Sequence, residues 1–302
     1  MGRMNRNAST LCRLFLLLCL VVVVSAHATQ VTDDAGRTVV LARPAKRIVS
    51  LAPHATELLF AAGAGDRVVG VSARSDYPPA ARALPRVGGY DALNLEAIVG
   101  LRPDLVVAWR AGNAESQLHR LRALGLTVYL SEPRTLTQIA IDIERLGRLA
   151  GTTAVAKRSA DDFRRHVGRL RSRYAGRSPV RVFYEVWNRP LMTINGAHLI
   201  SRVIGLCGGR NVFAELPVLA GQVSVEAVLA ANPDAIVASG TAATRPPWLD
   251  DWQRWGDLTA VRAHNLFFVP PDIIQRNTPR ILDGAERLCK QLDTARRHLG
   301  RQ

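Results

Sequence analysis

The sequence predicts an α/β protein of two lobes, each built on a central, mostly parallel sheet, the two joined by one long α-helix. Three observations predict it. Strand-like and helix-like segments alternate along most of the 302 residues, the pattern of parallel sheets covered by helices on both faces. One phrase is written twice: "LNLEAIVGLRPDLVVAW" (93–109) returns as "VSVEAVLAANPDAIVAS" (223–239). Glu96, Ala97, Pro103, Asp104, Val107 and Ala108 recur at a constant offset as Glu226, Ala227, Pro233, Asp234, Val237 and Ala238. Between the halves the alternation stops, and residues 152–174 carry a helical apolar stripe with no strand signal.

The first element is a leader. Arg3, Arg6 and Arg13 form a positive start, Leu14 to Val24 is continuously apolar, and Ala26-His27-Ala28 offers small residues to a signal peptidase. The run is short for a permanent membrane anchor. Cys19 is embedded between Leu18 and Leu20, which argues against a lipoprotein site. Cleavage after Ala28 yields a soluble exported protein that keeps only Cys207 and Cys289. In an oxidising compartment these form one disulfide or stay as two separate buried thiols. The expected division is 1–28 leader, 29–150 first lobe, 151–176 connecting helix and 177–302 second lobe.

In the first lobe, "RIVSLAP" reads as a buried strand and "ATELLFAAG" as a helix that Gly63 or Gly65 ends. "RVVGVS" is a strand, and Pro78 and Pro79 make "SDYPP" a loop. Asn94 caps a helix through Leu101, Pro103-Asp104 turns the chain, and "LVVAW" is a buried strand. Leu118, Leu121 and Leu124 mark another helix, and "LTVYL" another strand. In the connector, Phe163, Val167, Leu170 and Tyr174 share one face, with arginines and aspartates opposite. "GRSP" (176–179) ends it. The second lobe then reads strand "VRVFYEVW", helix "GAHLISRVIGLCG", helix "SVEAVLAAN", strand "AIVAS", a helix around "PPWLDDWQRW" and strand "LFFVP". Thr278, with Pro279 at the first helical position, caps the final helix.

Composition excludes some functions. The formal net charge is +15, yet only Lys46, Lys157 and Lys290 among the 40 basic residues are lysines. The arginines are dispersed, without the basic stripe of a nucleic-acid binder. "AGAGDRVVG" follows a helix instead of a strand and is a helix-ending turn, not a dinucleotide fingerprint. No phosphate-binding loop or nucleophile elbow occurs, which argues against an exported enzyme. The histidines are scattered, and the His54–Glu57 pair reads as a helix-start contact, so no metal site is expected.

Two features point to binding. Tyr77, Tyr90, Trp109 and Trp187, with Trp248, Trp252 and Trp255 further on, fall at strand ends or in loops. Ligands of open α/β sheets sit at the carboxyl ends of strands; aromatics there either present flat apolar area to a large organic ligand or cap the core. Glu96 and Glu226 each take the second position of a capped helix. The helix dipole favours either carboxylate alone. One per lobe also suits docking on a two-fold partner with paired arginines.

With "SDYPP", "NLEAIVGLRPDLVVAWRAGNAE", "GLCGGRNVF", "QVSVEAVLA" and "NTPRILDGAERLC", the chain resembles the helix-linked class of periplasmic substrate-binding proteins. These serve importers of cobalamin, haem and ferric siderophores, and "SDYPP" with "AWRAGNAE" resembles the cobalamin branch. The resemblance implies the class III fold of two Rossmann-like lobes. It implies capture of cobalamin as a transported ligand, without cofactor or catalysis, with haem or a ferric siderophore as the alternative. It also implies a monomer in a Gram-negative periplasm, delivering to the permease dimer and ATPase subunits of an ABC importer, with no nucleic-acid partner. Tyr90 and Trp109 then match aromatic positions that contact the ligand, as does the loop Asp272, Ile273, Ile274, Gln275 and Arg276; Trp187, from its place at a strand end, is a further expected contact. Glu96 and Glu226 match the permease-docking pair, and Cys207 and Cys289 a second-lobe disulfide. Three places depart from the branch. Arg74 replaces a ligand-contacting tyrosine and is positioned to pair with a ligand phosphate; Ala220 or Gly221 stands for a tryptophan; Ile273 and Ile274 replace aromatics. A stiff helical connector implies only small closure on binding.

Overall fold

The computed structural model describes residues 28–89 and 92–301. The expected leader up to residue 27, and the expected ligand contact Tyr90, lie outside the described residues. The described chain opens with an antiparallel hairpin, β1 (Thr29–Thr32) and β2 (Thr38–Leu41). The first lobe continues through β3 (Ile48–Ser50), α1 (Pro53–Ala61), β4 (Val68–Val71), α2 (Leu95–Gly100) and β5 (Leu105–Trp109). It ends with α3 (Glu115–Ala123), β6 (Val128–Ser131) and α4 (Leu136–Ala150). Helix α5 (Thr153–Tyr174) follows. The second lobe contains β7 (Val180–Glu185), β8 (Trp187–Asn188), β9 (Leu191–Ile194), α6 (Leu199–Leu206), β10 (Gly209–Asn211) and β11 (Ala220–Gln222). It is completed by α7 (Val225–Ala231), β12 (Ala235–Ala238), α8 (Thr259–Arg262), β13 (Leu266–Phe268), α9 (Pro271–Ile274) and α10 (Ile281–His298).

The two main sheets are parallel and share one topology. Their orders are β4-β3-β5-β6 and β10-β7-β12-β13. Leaving out β8, β9 and β11, which form a small antiparallel sheet of their own, each lobe places its first strand between its second and third. The repeated phrase occupies the same place in both, as α2–β5 and α7–β12. Its Pro-Asp has one job twice over. Asp104 accepts the backbone N–H groups of Lys46 (2.7 Å) and Arg47 (3.0 Å), and Asp234 accepts that of Arg181 (2.9 Å). The guanidinium of Arg47 returns a bond to Leu101 O (2.8 Å), and that of Arg181 to Ala231 O (2.5 Å). The phrase therefore ties the helix–strand turn to the start of the neighbouring strand in each lobe.

Strands buried on both faces need apolar side chains at every position, and "LVV" of β5 and "AIVA" of β12 supply them. Ile48, Leu105, Val107 and Tyr129 point to one face of the first sheet; Val49, Val106, Ala108 and Leu130 point to the other. The first set joins Val182, Tyr184, Ala235 and Val237 of the second sheet in one continuous core. The link is α5, whose Ala156, Ala160, Phe163, Val167, Leu170 and Tyr174 belong to the same core. At 22 residues, α5 spans about 33 Å. Gly147 of α4 lets it approach closely, since a Cβ there would lie 2.1 Å from that of Ala156.

Several expected details differ. The final helix starts at Ile281 without a side-chain cap, and Thr278 Oγ1 is buried with no bond. Residues 278–280 form a turn instead, with Ile281 N–H on Thr278 O (3.0 Å), and Arg280 at its end reaches across to Glu57 of the first lobe. "VRVFYEVW" breaks after Glu185, where the chain turns into the β8–β9 hairpin. "PPWLDDWQRW" forms tight 3-10 turns over Pro247–Arg254 instead of an α-helix. Helix α4 was legible from Ile139, Ile143 and Leu146 at 4-3 spacing after the capping Thr135, but the alternation pattern alone does not single it out.

Candidate functional site

In a parallel sheet whose first strand lies between its second and third, the strand order reverses between strands one and three, and their connections leave toward opposite faces. A crevice opens there at the carboxyl ends. In the first lobe that point lies between β3 and β5, where His54 and Trp109 meet. His54 enters on the first turn of α1, directly after β3, and its ring meets the Trp109 ring edge-on at 5.8 Å and 79°. Trp109 is half-buried, and its backbone N–H is held by Asn113 Oδ1 at 2.8 Å. The indole folds over Gly112, where a Cβ would lie 1.9 Å from the ring. Burial lowers the His54 imidazole to about 4, opposed by a hydrogen bond to the Ser131 backbone.

In the second lobe the corresponding ends carry Glu185 and Ser239. Gln275 reaches this point and donates to Ser239 Oγ and to Gly240 O (3.2 Å). Burial is the largest influence on the Tyr184 hydroxyl beside them and raises it.

The lobes meet through a charged cluster. Glu57 of α1 has a side chain 3% exposed and receives Arg280 through two bonds, 2.9 and 2.7 Å, and Arg276 at 3.0 Å. Arg276 also pairs with Asp76 (2.7 Å) and Asp272 (3.2 Å). Burial pushes the Asp76 carboxyl up, but the hydrogen bond and charge of Arg276 outweigh it, leaving the group below its usual range. The Arg280 guanidinium stacks over Tyr77, 3.9 Å from the ring centre, and Asn277 Nδ2 donates to Pro133 O at 2.8 Å. The loop after α9 thus crosses to the carboxyl end of the first sheet.

The expected site residues separate into groups. Trp109 ends β5, Asp272 lies on α9, and Gln275 and Arg276 follow it in the crossing loop. Arg74 is exposed in the turn after β4. Trp187 is 37% exposed on the β8–β9 hairpin and donates its indole N–H to Arg189 O at 2.8 Å. Ile273 is partly buried against the core, and Ile274 is sealed inside it at 0% exposure, because α9 lays that face on the second-lobe interior. Ile274 is therefore a core residue and not a cleft contact. Trp252 packs edge-on against Phe183 on the outer face of the second sheet, so it caps a core. Glu96 and Glu226 are exposed on capped helices whose Asn94 and Ser224 accept from Ala97 N and Ala227 N. The helix's own first-turn N–H, then Ser224, hold Glu226 below its usual range. Cys207 and Cys289 are joined in a disulfide. His54 and Glu57, expected as a helix-start pair, instead contact Trp109 and the two arginines, and Tyr77, expected among the binding aromatics, stacks under Arg280; Arg280 was not singled out from the sequence.

Glu185 is 1% exposed and bonded by the Trp252 indole N–H at 2.7 Å, beside a pocket of about 200 Å³ that Trp248 and Trp255 also line. Burial raises its carboxyl from 4.5 to about 8. The folded state then keeps a proton that the unfolded chain releases, so this group's contribution falls as pH rises from 4.5 to about 8. Glu185→Gln is expected to flatten that loss. Melting curves at the two ends of this range test it, the variant gaining on the parent toward the alkaline end.

Comparison with known proteins agrees with this architecture. The family model described as "Periplasmic binding protein" matches residues 48–273. The chain belongs to the periplasmic binding protein family. A vitamin B12-binding protein of Vibrio cholerae is 42% identical over 254 residues, covering 84% of this chain and 91% of the relative. That of Yersinia pestis is 40% identical over 251 residues, covering 83% and 88%. The crystal structure of the periplasmic vitamin B12-binding protein of Vibrio cholerae superposes with a TM-score of 0.76 at 42% identity, covering 84% of this chain and 98% of that one. As in other periplasmic binding proteins of this class, two α/β lobes are linked by one long helix.

Proposed function

We propose that this periplasmic binding protein captures a corrinoid, cobalamin, between its lobes and delivers it to the permease and ATPase subunits of an ABC importer. The observation that carries this reading is 40–42% identity, over most of the chain, with proteins named for vitamin B12 binding. The geometry supports it. An aromatic face lies at the switch point of the first lobe, and buried His54 Nε2, Glu132 Oε2 and Thr278 Oγ1 have no partner among the described residues. A corrin ring, broad and largely apolar on its face, matches the first of these features. In this reading Trp109 stacks on the ligand, Asp272, Gln275 and Arg276 hold its rim, and exposed Arg74 pairs with its phosphate. Tyr90, Trp187 and Ile273 complete the proposed contacts. The protein acts as an exported monomer, cut after Ala28, with lobes 29–150 and 177–302 about the connector 151–176.

Calorimetric titration with cyanocobalamin tests the reading, with haemin as competitor. Saturable binding that haemin does not displace supports it; no heat with cyanocobalamin, or tighter binding of haemin, overturns it. Gly112→Ala drives a methyl into the Trp109 ring, and is expected to weaken cobalamin binding about tenfold, or 1.4 kcal/mol. Charge reversal, Glu96→Arg with Glu226→Arg, is expected to abolish association with the importer in a pull-down while leaving the cobalamin titration unchanged, since both groups lie outside the cleft.

A further inference from the structure

Successive side chains of a strand face opposite sides of its sheet. In β7 this sends Val182 and Tyr184 into the continuous core, and Phe183 and Glu185 to the other face, where both meet Trp252. The position after Phe183 on that face is thus an acid, 1% exposed. Its Oε2 accepts the Trp252 indole N–H at 2.7 Å, and Oε1 accepts no hydrogen bond among the described residues. Buried carboxylates are ordinarily paired with a cation. Here the candidates are engaged or turned away: Arg254 pairs with Asp251 (3.8 Å), and Arg189 is exposed on the turn of the β8–β9 hairpin. Burial, aided by the Asp251 charge and opposed by the Trp252 bond, keeps the acid protonated up to about 8.

Glu185 lines a cavity of about 200 Å³, and the other walls decide what can enter it. Trp248, Trp252 and Trp255 supply three of them, α7 adds only Val225, and Asp251 stands beside the tryptophans. Indoles donate hydrogen bonds and accept none, so an ordinary ammonium would leave N–H groups unanswered. A metal ion finds no group of three His, Cys, Asp or Glu among the described residues. A cation whose charge is spread over methyl groups needs no acceptor, and aromatic faces attract it. The cavity is smaller than those that hold drug-sized ligands, which suits a compact head group.

We propose that this cavity binds a small organic cation of the quaternary-ammonium class, with Glu185 as its counter-ion and the three tryptophans as its walls. As the cation enters, Glu185 releases its proton to solvent, and an ion pair replaces the neutral acid. The cavity lies on the outer face of the second sheet, away from the crevice between the lobes. It does not rest on the corrinoid reading.

Calorimetric titration of the full exported chain with choline, and with its uncharged isostere 3,3-dimethylbutan-1-ol, tests this. Choline is expected to bind saturably, and the isostere at least about tenfold more weakly. Choline affinity should climb as the pH rises to about 8 and level off above it. Its binding heat should also follow the ionisation heat of the buffer, because a proton is released. Glu185→Gln keeps an acceptor for Trp252 and is expected to lose about tenfold in affinity and all of the pH dependence. Trp255→Leu, at an exposed wall, is expected to lose about as much while leaving the cyanocobalamin titration unchanged. Absence of saturable choline binding overturns the proposal, as does equal binding of the isostere, which would make the cavity merely apolar. Choline affinity that ignores pH, or survives Glu185→Gln, would remove the counter-ion and overturn it too. Circular dichroism checks both folds, and the parent's pH and buffer titrations decide the matter should either variant fail to fold.

Discussion

Removing the disulfide, by Cys207→Ala with Cys289→Ala, is expected to lower the stability of the folded protein by about 4 kcal/mol. The bond ties the end of α6 to the middle of α10 across a sequence separation of 82 residues. In the unfolded chain it closes a loop of that size. The entropy it removes grows with the logarithm of loop length, so a long loop approaches the upper end of the range. Both cysteines are fully buried in the continuous core, so truncation to alanine also removes packing and adds in the same direction. Urea unfolding of parent and variant reads the difference. A loss below about 1 kcal/mol would mean that the unfolded second lobe is already restricted without the bond.

Glu57→Gln is expected to cost about 3 kcal/mol and to loosen the lobes. The parent carboxylate accepts three bonds from two guanidiniums, with its side chain 3% exposed against 18% and 17% for Arg276 and Arg280. Glutamine keeps the shape but turns an N–H₂ toward one of those donors. It also leaves two like charges together with less solvent than they require. Arg280 would lose a two-bond fork that lysine cannot reproduce. Adding Arg280→Leu to Glu57→Gln should recover part of the loss, because it removes one stranded charge. Urea unfolding of the single and double variants measures that coupling. Spin labels placed on opposite lobes should report a broader distance distribution in Glu57→Gln than in the parent; an unchanged distribution would show that α5 alone holds the lobes.

The repeated phrase was readable because its chemistry is local. Asn94 and Ser224 cap helices whose first residues follow them directly, Pro-Asp turns the chain, and apolar runs become strands buried on both faces. The same holds for the connector, whose stripe of Phe163, Val167, Leu170 and Tyr174 is periodic within one helix. Thr278 shows where such reading stops. Its sequence carries a strong helix-start signal, yet the helix begins later, after Arg280, whose side chain is bound to Glu57 more than two hundred residues earlier. Ile274 is a second case. Its position in a loop beside Asp272 and Gln275 suggested a cleft contact, but α9 turns it into the core.

By itself, the sequence determined the two-lobe α/β architecture, the long linking helix, the paired capped glutamates and the family, because each is written in periods or motifs a few residues long. Only the tertiary structure decided which distant groups meet: Arg276 and Arg280 on Glu57, His54 between Trp109 and Ser131, Trp252 against Phe183. Those contacts depend on how two sheets and α5 pack around one continuous core. No short-range pattern encodes that packing, since burial and charge pairing are set by the sum of the surroundings.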